Sequence, residues 1–462
     1  MPIEIQNPAA PDEIVATYEE TPADALDEMV ARAGRAQLAW AATPQPGRGV
    51  MVAKFIDALE ARTDRIALSI TKEMGKPLAE ARGEVAKAVG EARACVARAS
   101  APIGEIFPSQ IPGTTAYSTR RPRGVILGIN PWNFPFSTPM RKAIPALVYG
   151  NVIILKSASL TPGAIALMAE IAAETLPDDL VQAAIGGGAL GQALSDHAGV
   201  DAISFTGSVG IGKRVAIAAA GHLAEVSLEL GGKNPAILND ASDLDKVLDQ
   251  IMASAFAVCG QRCTAVSRVI VHRDLEAAVI AGLAARAKDM KPTDGATEGA
   301  IIGPLASAQQ LEDVAGFVSR ATAEGAIVEA GGKRLASDSG GYFYAPTVLS
   351  GVTRKMEIAR DEVFGPVLSV IAYESVDEAM SIANDVDFGL SSCLYSERTD
   401  VVERFVAESE SGMIHVNSGS FPENHLPFVG VKDSALGVGG SNGPSTIQFY
   451  TTEHTVYRKA EV

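Results

Sequence analysis

Short apolar runs typical of buried strands alternate with helical patterns from about residue 125 onward. The run "GVILGIN" is followed by the helical pattern "MRKAIPALVYG", and "NVIILKSAS" by the helix "GAIALMAEIAAETL". The segments "LVQAAIGG", "DAISFTGS" and "EVSLELGG" continue the series. Strands that alternate with helices in this way form a parallel sheet with helices on both faces. The sequence therefore predicts an α/β fold.

A second series of the same kind begins after Gly232. It contains "PAILN", "SRVIVH", "AIVEAGG", "FGPVLSVIAY" and "SSCLYS". The first hundred residues have mostly helical spacing instead, with one helical pattern ending at Gly75. A chain of 462 residues is too long for one simple core, so we expect two or three domains.

The end of the chain has a different pattern. "STIQFYTTEHTVY" alternates apolar and polar residues, and no helical pattern follows it. A strand of this length and apolarity is an aggregation risk when its edge is bare. We therefore expect it to pair with another subunit in a homo-oligomer, either a dimer or a tetramer.

The composition of the chain limits the kinds of binding partner and the cell compartment that we expect. The net charge is −16, which argues against a nucleic-acid partner. No apolar run is long enough to span a membrane, and the N-terminus lacks the basic start and apolar run of a signal peptide. Four cysteines are too few for a disulfide scaffold and suit a reducing compartment. We expect a cytoplasmic protein that binds neither nucleic acid nor membrane.

Two glycine-containing segments are candidates for binding a dinucleotide. A G-x-G-x-x-G pattern at Gly186, Gly188 and Gly191 lacks the acidic residue expected about twenty positions later, so we interpret it as a turn. In "ISFTGSVGIG" a strand ends at Phe205 and a helix follows. Small residues there would let a phosphate approach the free N–H groups at the start of the helix. The second segment is the better phosphate site.

The stretch "FAVCGQRCTA" holds Cys259 and Cys263. A free cysteine is usually a small buried hydrophobe, so neither is a nucleophile by default. A single C-x-x-x-C without a second pair does not indicate zinc, and none of the six histidines has metal-binding spacing. We expect no metal site.

Five short motifs occur in a characteristic order. They are "PWNFP" at residues 131–135, "FTGSVGIG" at 205–212, "LELGGK" at 228–233, "GQRC" at 260–263 and "EVFGP" at 362–366. In this order they resemble the aldehyde dehydrogenase superfamily over essentially the whole chain. The resemblance implies a Rossmann-type cofactor domain, an α/β catalytic domain and a β oligomerisation arm.

The resemblance also implies catalytic roles. Cys263 matches the family nucleophile, whose thiolate attacks the aldehyde carbon to give a thiohemiacetal. Asn133 matches the residue whose amide N–H, with the backbone N–H of Cys263, stabilises the oxyanion. Glu229 matches the base that activates water to hydrolyse the thioester, which favours a free acid product. Cys259 is expected to be a packing residue.

The resemblance implies a site for NAD or NADP. Family-typical contacts to the cofactor are expected from Ile129, Trp132, Lys156, Ser159, Gly207, Ser208, Gly212, Leu230, Glu362 and Phe364. The NAD-selective pattern Lys-Pro-Ala-Glu is replaced by "KSAS", with Ser159 in place of the glutamate. Loss of this carboxylate removes repulsion of a 2′-phosphate beside Lys156, and Thr161 with the following helix N-terminus would help to receive it. We predict that NADP is accepted and preferred, with dual specificity as the alternative.

Four residues are expected to bind the substrate: Arg141, Arg262, His425 and Phe428. An arginine eight residues after Asn133 is typical of family members that bind acid semialdehydes, and a guanidinium binds carboxylates well. The second arginine of succinate-semialdehyde dehydrogenases is Ala257 here, and the late segment departs from the family pattern at Val429, Ala435 and Val438. "GQRCTA" and "FYTTEHTVY" also resemble α-ketoglutaric-semialdehyde dehydrogenases.

The predicted function is oxidation of a short acid semialdehyde, such as succinate semialdehyde, to the carboxylic acid. A broad-specificity aliphatic or aromatic aldehyde dehydrogenase is the alternative within the family. A cysteine thioester hydrolase or acyltransferase is the alternative from another class. The predicted domains are cofactor binding at residues 1–108 and 124–231, catalysis at 232–437, and oligomerisation strands at 109–123 and 438–462.

Overall fold

A computed structural model describes residues 2–439 and 441–459 of the chain. Its first hundred residues are only partly helical. An antiparallel hairpin, which the sequence analysis missed, precedes four helices. The helical pattern ends at Gly75 as predicted, with the glycine in the left-handed conformation at φ 79°. The elements are β1 (Pro2–Asn7), β2 (Ala10–Glu19), α1 (Leu26–Ala42), α2 (Gln45–Glu60), α3 (Thr63–Met74) and α4 (Leu78–Val96).

Two strands then lead into the first large sheet, in which strands and helices alternate as predicted. The strand order in this sheet is β19-β9-β8-β5-β6-β7, and β5 to β9 are all parallel. The elements are β3 (Ile106–Phe107), β4 (Thr114–Pro122), β5 (Val125–Ile129), α5 (Ser137–Val148), β6 (Val152–Lys156), α6 (Gly163–Thr175), β7 (Val181–Ala184), α7 (Gly188–Ser195), β8 (Ala202–Thr206), α8 (Val209–Ala220) and β9 (Glu225–Glu229).

The second sheet has seven strands in the order β12-β13-β14-β11-β10-β16-β17, and only the β12–β13 pair is antiparallel. The predicted strands all lie in it. Its elements, with the short β15–β18 pair, are β10 (Asn234–Leu238), α9 (Leu244–Phe256), β11 (Val266–His272), α10 (Glu276–Asp289), α11 (Ala308–Ala323), β12 (Ile327–Ala330), β13 (Thr347–Ser350), α12 (Glu357–Arg360), β14 (Val367–Tyr373), α13 (Val376–Asn384), β15 (Phe388–Gly389), β16 (Ser391–Tyr395), α14 (Thr399–Glu408), β17 (Met413–Val416) and β18 (Val431–Lys432).

The chain crosses between the two sheets twice, and the two crossings lie side by side. Residues 230–233 lead from β9 to β10, and residues 433–434 lead back from β18 to β19 (Ala435–Gly437), which pairs antiparallel with β9. The two crossings are hydrogen-bonded to each other, because Leu230 N donates to Ser434 O at 2.8 Å and Ser434 Oγ donates to Gly231 O at 2.7 Å. The carboxyl ends of the first sheet therefore face the amino ends of β10 and β11.

The C-terminal segment begins with a short helix that the sequence analysis did not predict. After α15 (Thr446–Tyr450), β20 (Thr451–Lys459) pairs antiparallel with β4 along its whole length. In the order β20-β4-β3 the outer edge of β20 carries no other described strand. Its pairing with a second subunit, and the predicted domain boundaries, stay predictions. None of the described helices is both long enough and apolar enough to cross a membrane.

Candidate active site

Cys263 lies on a tight loop between α9 and β11. Three consecutive residues before it have left-handed backbone conformations: Val258 at φ 56°, Cys259 at φ 55° and Gly260 at φ 69°. A Cβ atom at residue 260 would lie 2.2 Å from the carbonyl oxygen of Gly365, so this position requires glycine. The loop thus packs directly against the "EVFGP" segment.

Side chains from other elements fix this loop. Both carboxylate oxygens of Glu80 accept from Val258 N, at 3.2 and 3.1 Å. Gln261 Nε2 donates to Val258 O at 3.1 Å, and its Oε1 accepts from Ala306 N at 2.9 Å. Asn234 Nδ2 donates to the carbonyl of Cys263 at 2.7 Å. The backbone is therefore held on both sides of the sulfur.

Asn133 touches the same loop from the first sheet. Its Nδ2 donates to Gln261 O at 2.8 Å, and the side chain is buried. Its own carbonyl accepts from Lys76 Nζ at 2.8 Å, and Lys76 forms a buried ion pair with Glu84. An amide nitrogen carries two hydrogens, so one N–H of Asn133 remains for a ligand.

Glu229 ends β9 and is buried, with 5% of the residue exposed. Its Oε1 accepts from Ser441 N at 3.3 Å, while its Oε2 has no partner among the described residues. Burial raises the pKa of Glu229 to about 8, and the charges of Lys142 and Arg141 oppose the shift. A carboxyl with this pKa exchanges protons near neutrality.

The two cysteines lie in different surroundings. Burial raises the pKa of the Cys263 thiol to about 12, with a further contribution from Glu362, while the charges of Arg141 and Arg262 lower it. Cys259 is packed in the core of the second sheet, and burial raises its pKa further above the ordinary range. Of these two cysteines, only Cys263 has charged groups of both signs around it.

Lys156 ends β6 beside the glycine cluster. Its Cε lies 3.6 Å from where a Cβ of Gly191 would be, and burial lowers its pKa. The hydroxyls of Ser157 and Thr161 are buried without a partner among the described residues, so the Thr161 side chain does not cap α6. Ser159 is exposed. Unpaired buried hydroxyls beside a lysine fit a polar ligand.

The N-terminus of α8 fits a phosphate. Ser208 is the N-cap residue, and its side chain makes no capping hydrogen bond. A Cβ at residue 207 would meet the ring of Phe205 at 2.6 Å, and one at residue 212 would meet the side chain of Leu230 at 2.6 Å. Free N–H groups of the first helical turn bind anions.

The remaining predicted cofactor residues lie at the end of β5, on the loop after it and on the segment before β14. Trp132 and Phe364 are in edge-to-face contact, with ring centroids 5.3 Å apart. Glu362 Oε1 accepts from Gly232 N at 3.1 Å, and burial raises its pKa to about 7. Ile129, the last residue of β5, is buried.

Two of the predicted substrate residues are near Cys263, with internal partners. Arg141 donates from Nε and Nη2 to the carboxylate of Glu91, both at 2.7 Å, and its guanidinium carbon is 5.0 Å from the ring centroid of Phe428. Arg262 donates from Nη2 to Ser420 O at 3.1 Å, and its Nη1 is buried without a partner among the described residues.

The other two predicted substrate residues differ in exposure. Phe428 is buried and packs in a small apolar cluster that Cys263 also touches. His425 has 63% of its side chain exposed and lies 3.7 Å from Glu423. It shares a small surface pocket with Arg141 and Glu91.

The model of the aldehyde dehydrogenase family matches residues 1–456. The chain belongs to the aldehyde dehydrogenase family. It is 36% identical over 462 residues to alpha-ketoglutaric semialdehyde dehydrogenase from Bacillus subtilis, covering 99% of this chain and 94% of that protein. It is also 36% identical to a betaine aldehyde dehydrogenase from Cereibacter sphaeroides, covering 99% and 93%.

Solved structures agree with the assignment. Lactaldehyde dehydrogenase from Escherichia coli superimposes with a TM-score of 0.96 at 33% identity, covering 100% of this chain and 96% of that one. Betaine aldehyde dehydrogenase from Staphylococcus aureus, in complex with NAD+, superimposes with a TM-score of 0.96 at 28% identity, covering 100% and 93%. This aldehyde dehydrogenase is therefore an oxidoreductase with the fold that the sequence predicted.

Sequence reasoning missed the charged face of α4 in this aldehyde dehydrogenase. Glu80, Glu84, Lys87 and Glu91 each bond to a different segment around the site. Their spacing puts them on one side of the helix, which was the available signal. Charged residues at this spacing usually form a solvated face, so the pattern alone did not indicate a site. In the described part of the chain, no cluster of His, Cys, Asp and Glu could hold a metal.

Proposed function

We propose that this aldehyde dehydrogenase oxidises a short acid semialdehyde, such as succinate semialdehyde, to the free acid through Cys263. The observation that carries the proposal is the 2.8 Å hydrogen bond from Asn133 Nδ2 to Gln261 O. It joins the amide to the loop that bears the sulfur, two residues before Cys263. A nucleophile and an oxyanion donor on adjoining backbone segments are the parts that acyl chemistry needs.

The first stage uses Cys263 and Asn133. The Cys263 thiol gives its proton to solvent water and its sulfur attacks the carbonyl carbon; burial raises the pKa of this thiol to about 12, and the positive charges of Arg141 and Arg262 oppose that shift. The oxyanion of the resulting thiohemiacetal accepts hydrogen bonds from the second amide N–H of Asn133 and from the backbone N–H of Cys263. When bound, NAD(P)+ supplies the acceptor for the hydride that leaves this adduct.

Glu229 performs the second stage. Its Oε2 has no partner among the described residues, and its pKa of about 8 lets it take a proton near neutrality. It removes a proton from water, which attacks the thioester carbon and releases the acid with a regenerated thiolate. A site without such a base would favour transfer to another thiol.

The nucleotide end favours NADP. Ser157 and Thr161 follow Lys156 in the chain, their hydroxyls are buried without a partner among the described residues, and the exposed Ser159 places no carboxylate in this segment. A 2′-phosphate gains a cation and two hydroxyl donors without meeting a negative charge. We propose that NADP is preferred and that NAD is also used.

The names of the relatives do not decide the substrate. An alpha-ketoglutaric semialdehyde dehydrogenase, named for an acidic aldehyde, and a betaine aldehyde dehydrogenase, named for a cationic one, are both 36% identical to this chain. The charges of Arg141 and Arg262 both act on Cys263. Two guanidinium groups near the sulfur attract a carboxylate and repel a quaternary ammonium. We therefore favour an acid semialdehyde over betaine aldehyde.

A broad-specificity aldehyde dehydrogenase is the second candidate. The observation that favours it is the pairing of Arg141 with Glu91, which neutralises one of the two cations. The aromatic ring of Phe428 beside Cys263 would suit an apolar aldehyde. A thioester hydrolase needs no nucleotide, so this function would not explain the residues predicted to bind one.

A panel of aldehydes with both cofactors tests the proposal. Succinate semialdehyde, α-ketoglutaric semialdehyde, butanal and betaine aldehyde are followed at 340 nm with NADP and NAD. We expect the highest kcat/KM for an acid semialdehyde with NADP. Equal values for butanal would support the broad-specificity enzyme, and hydrolysis of an acyl thioester without aldehyde oxidation would support the hydrolase.

We further propose that the protein is a cytoplasmic homodimer or homotetramer. The open edge of β20, along a strand whose other edge is fully paired, supports assembly through this strand. Light scattering after size exclusion measures the mass in solution. A monomer at micromolar concentration would contradict this proposal.

A further inference from the structure

One face of α4 contacts four segments around the thiol end of the site. Glu80, Glu84, Lys87 and Glu91 are spaced by four, three and four residues, so they lie in one row along the helix. Glu80 accepts from Val258 N, and Glu84 Oε1 accepts from the backbone N of Phe136 at 3.0 Å. Lys87 Nζ donates to Pro422 O at 2.8 Å. The row thus connects the Cys263 loop, the Asn133 loop and the segment before Phe428.

The Glu80 end of the row supports a strained backbone. Val258 is β-branched and has φ 56°, a conformation that such residues rarely adopt. Strain of this kind persists only where the surroundings hold it. Both oxygens of Glu80 accept from Val258 N, five residues before Cys263. Without this carboxylate the N–H loses its described partner and the loop is free to relax.

The Glu91 end of the row fixes a guanidinium. Glu91 has 3% of its side chain exposed and binds two nitrogens of Arg141, whose side chain is 14% exposed. Arg141 Nη1 makes no hydrogen bond to any other residue in the described ranges. The guanidinium also stacks over Phe428, which packs with Cys263. Glu91 and Phe428 therefore fix the guanidinium in one orientation, and its charge acts on the Cys263 sulfur.

We propose that this face of α4 positions the active site: Glu80 fixes the loop that carries Cys263, and Glu91 orients Arg141 so that Nη1 meets the substrate carboxylate. The second part rests on the proposed acid substrate, whereas the first part holds for any aldehyde. Glu80 and Glu91 are positioning residues, since each acts through another group. The matched control is Arg82 on the same helix, which makes a surface ion pair with Asp64 and has 52% of its side chain exposed.

The Glu80 part is tested with Glu80→Ala, Glu80→Gln and Arg82→Ala. Loss of a charged hydrogen bond should lower kcat for Glu80→Ala by about 10- to 100-fold, for succinate semialdehyde and butanal alike. Glutamine keeps one acceptor oxygen, so Glu80→Gln should recover most of kcat, and Arg82→Ala should match the wild type. The rate of Cys263 alkylation by iodoacetamide should change in Glu80→Ala while the Kd for NADP does not.

An unchanged kcat and alkylation rate in Glu80→Ala, or an equal loss in Arg82→Ala, would overturn this part. If Glu80→Ala does not fold, Glu80→Leu replaces it, since leucine fills a similar volume without an acceptor: a lowered kcat for every aldehyde with a changed alkylation rate supports the role, and wild-type values of both contradict it.

The Glu91 part is tested by a double-mutant cycle. Glu91→Ala should raise KM for succinate semialdehyde by about 10-fold and leave KM for butanal near the wild-type value. Adding Glu91→Ala to Arg141→Ala should cause no further change, because the two residues act as one unit. Equal effects on both aldehydes, or additive effects in the double variant, would overturn this part. If the wild type shows no preference for acid semialdehydes, the proposed substrate fails, and the Glu80 part is still decided by its own variants.

Discussion

The thiol end and the nucleotide end of the cleft differ in how their polar groups are satisfied. At the thiol end, the Asn133 and Asn234 side chains donate to backbone carbonyls of the Cys263 loop. The Gln261 side chain, on the loop itself, bonds to the backbone of Val258 and Ala306. At the nucleotide end, the buried hydroxyls of Ser157 and Thr161 have no partner in the described ranges. Buried unpaired hydroxyls are unfavourable, so that end is complementary to a polar ligand. The backbone of the Cys263 loop is instead preorganised by the protein itself, and the buried atoms left without a described partner at this end are those of charged groups, Glu229 Oε2 and Arg262 Nη1.

The largest effect expected at the thiol end is from Cys263→Ala. Loss of the nucleophile should lower kcat/KM by about 1000-fold or more. Because the nucleotide end does not depend on the sulfur, the Kd for NADP measured by fluorescence should stay near the wild-type value. Cys259→Ala is the control, and we expect it to retain activity. Comparable losses in both variants would contradict the assignment of the nucleophile.

Asn133→Ala should have the next largest effect. Removal of one oxyanion donor typically lowers kcat by about 100- to 1000-fold, and the backbone N–H of Cys263 remains. The same change also removes the hydrogen bond to Gln261 O, so thermal stability must be measured beside kcat. A fall in stability with unchanged kcat would show that the amide serves only to hold the loop.

Glu229 should make activity depend on pH. The carboxylate is the active form, so turnover limited by thioester hydrolysis should rise between about pH 7 and 9, centred near the pKa of about 8. In Glu229→Gln this rise should be absent, and a burst of about one NADPH per site should precede slow turnover. A Glu229→Gln profile that keeps the wild-type rise would assign the transition to another group.

A smaller effect is expected at the nucleotide end. Ser159→Glu restores a carboxylate and should shift the ratio of kcat/KM for NADP over NAD toward NAD by about 10- to 100-fold. Thr161→Val removes one hydroxyl and should weaken NADP binding by about 3- to 10-fold with little effect on NAD. If both variants leave the ratio unchanged, the 2′-phosphate does not bind at this place.

The alternating patterns predicted both sheets, because buried parallel strands have long apolar runs that few other structures share. They did not predict the hairpin of β1 and β2, whose residues are mostly exposed and lack such runs. The family resemblance of the five motifs predicted that Cys263, Asn133 and Glu229 belong to one active site.

The residues that hold the site in place could not be predicted from the sequence. Glu80 and Glu91 resemble surface carboxylates until the fold covers them, and nothing local indicates a left-handed Val258. Nothing in the sequence indicates that the hydroxyl of Thr161 is buried without a partner among the described residues. Such features depend on contacts between distant segments, which spacing along one helix or loop does not reveal.

The hydrogen bonds between the crossings at residues 230–233 and 433–434 join the two sheets at a single narrow junction. Glu229 is the last residue before the first crossing, so a clamshell motion of the two halves would pivot beside this carboxylate. Residues of the second sheet far from this junction would move most in such a motion, while Glu229 would stay almost in place relative to both sheets.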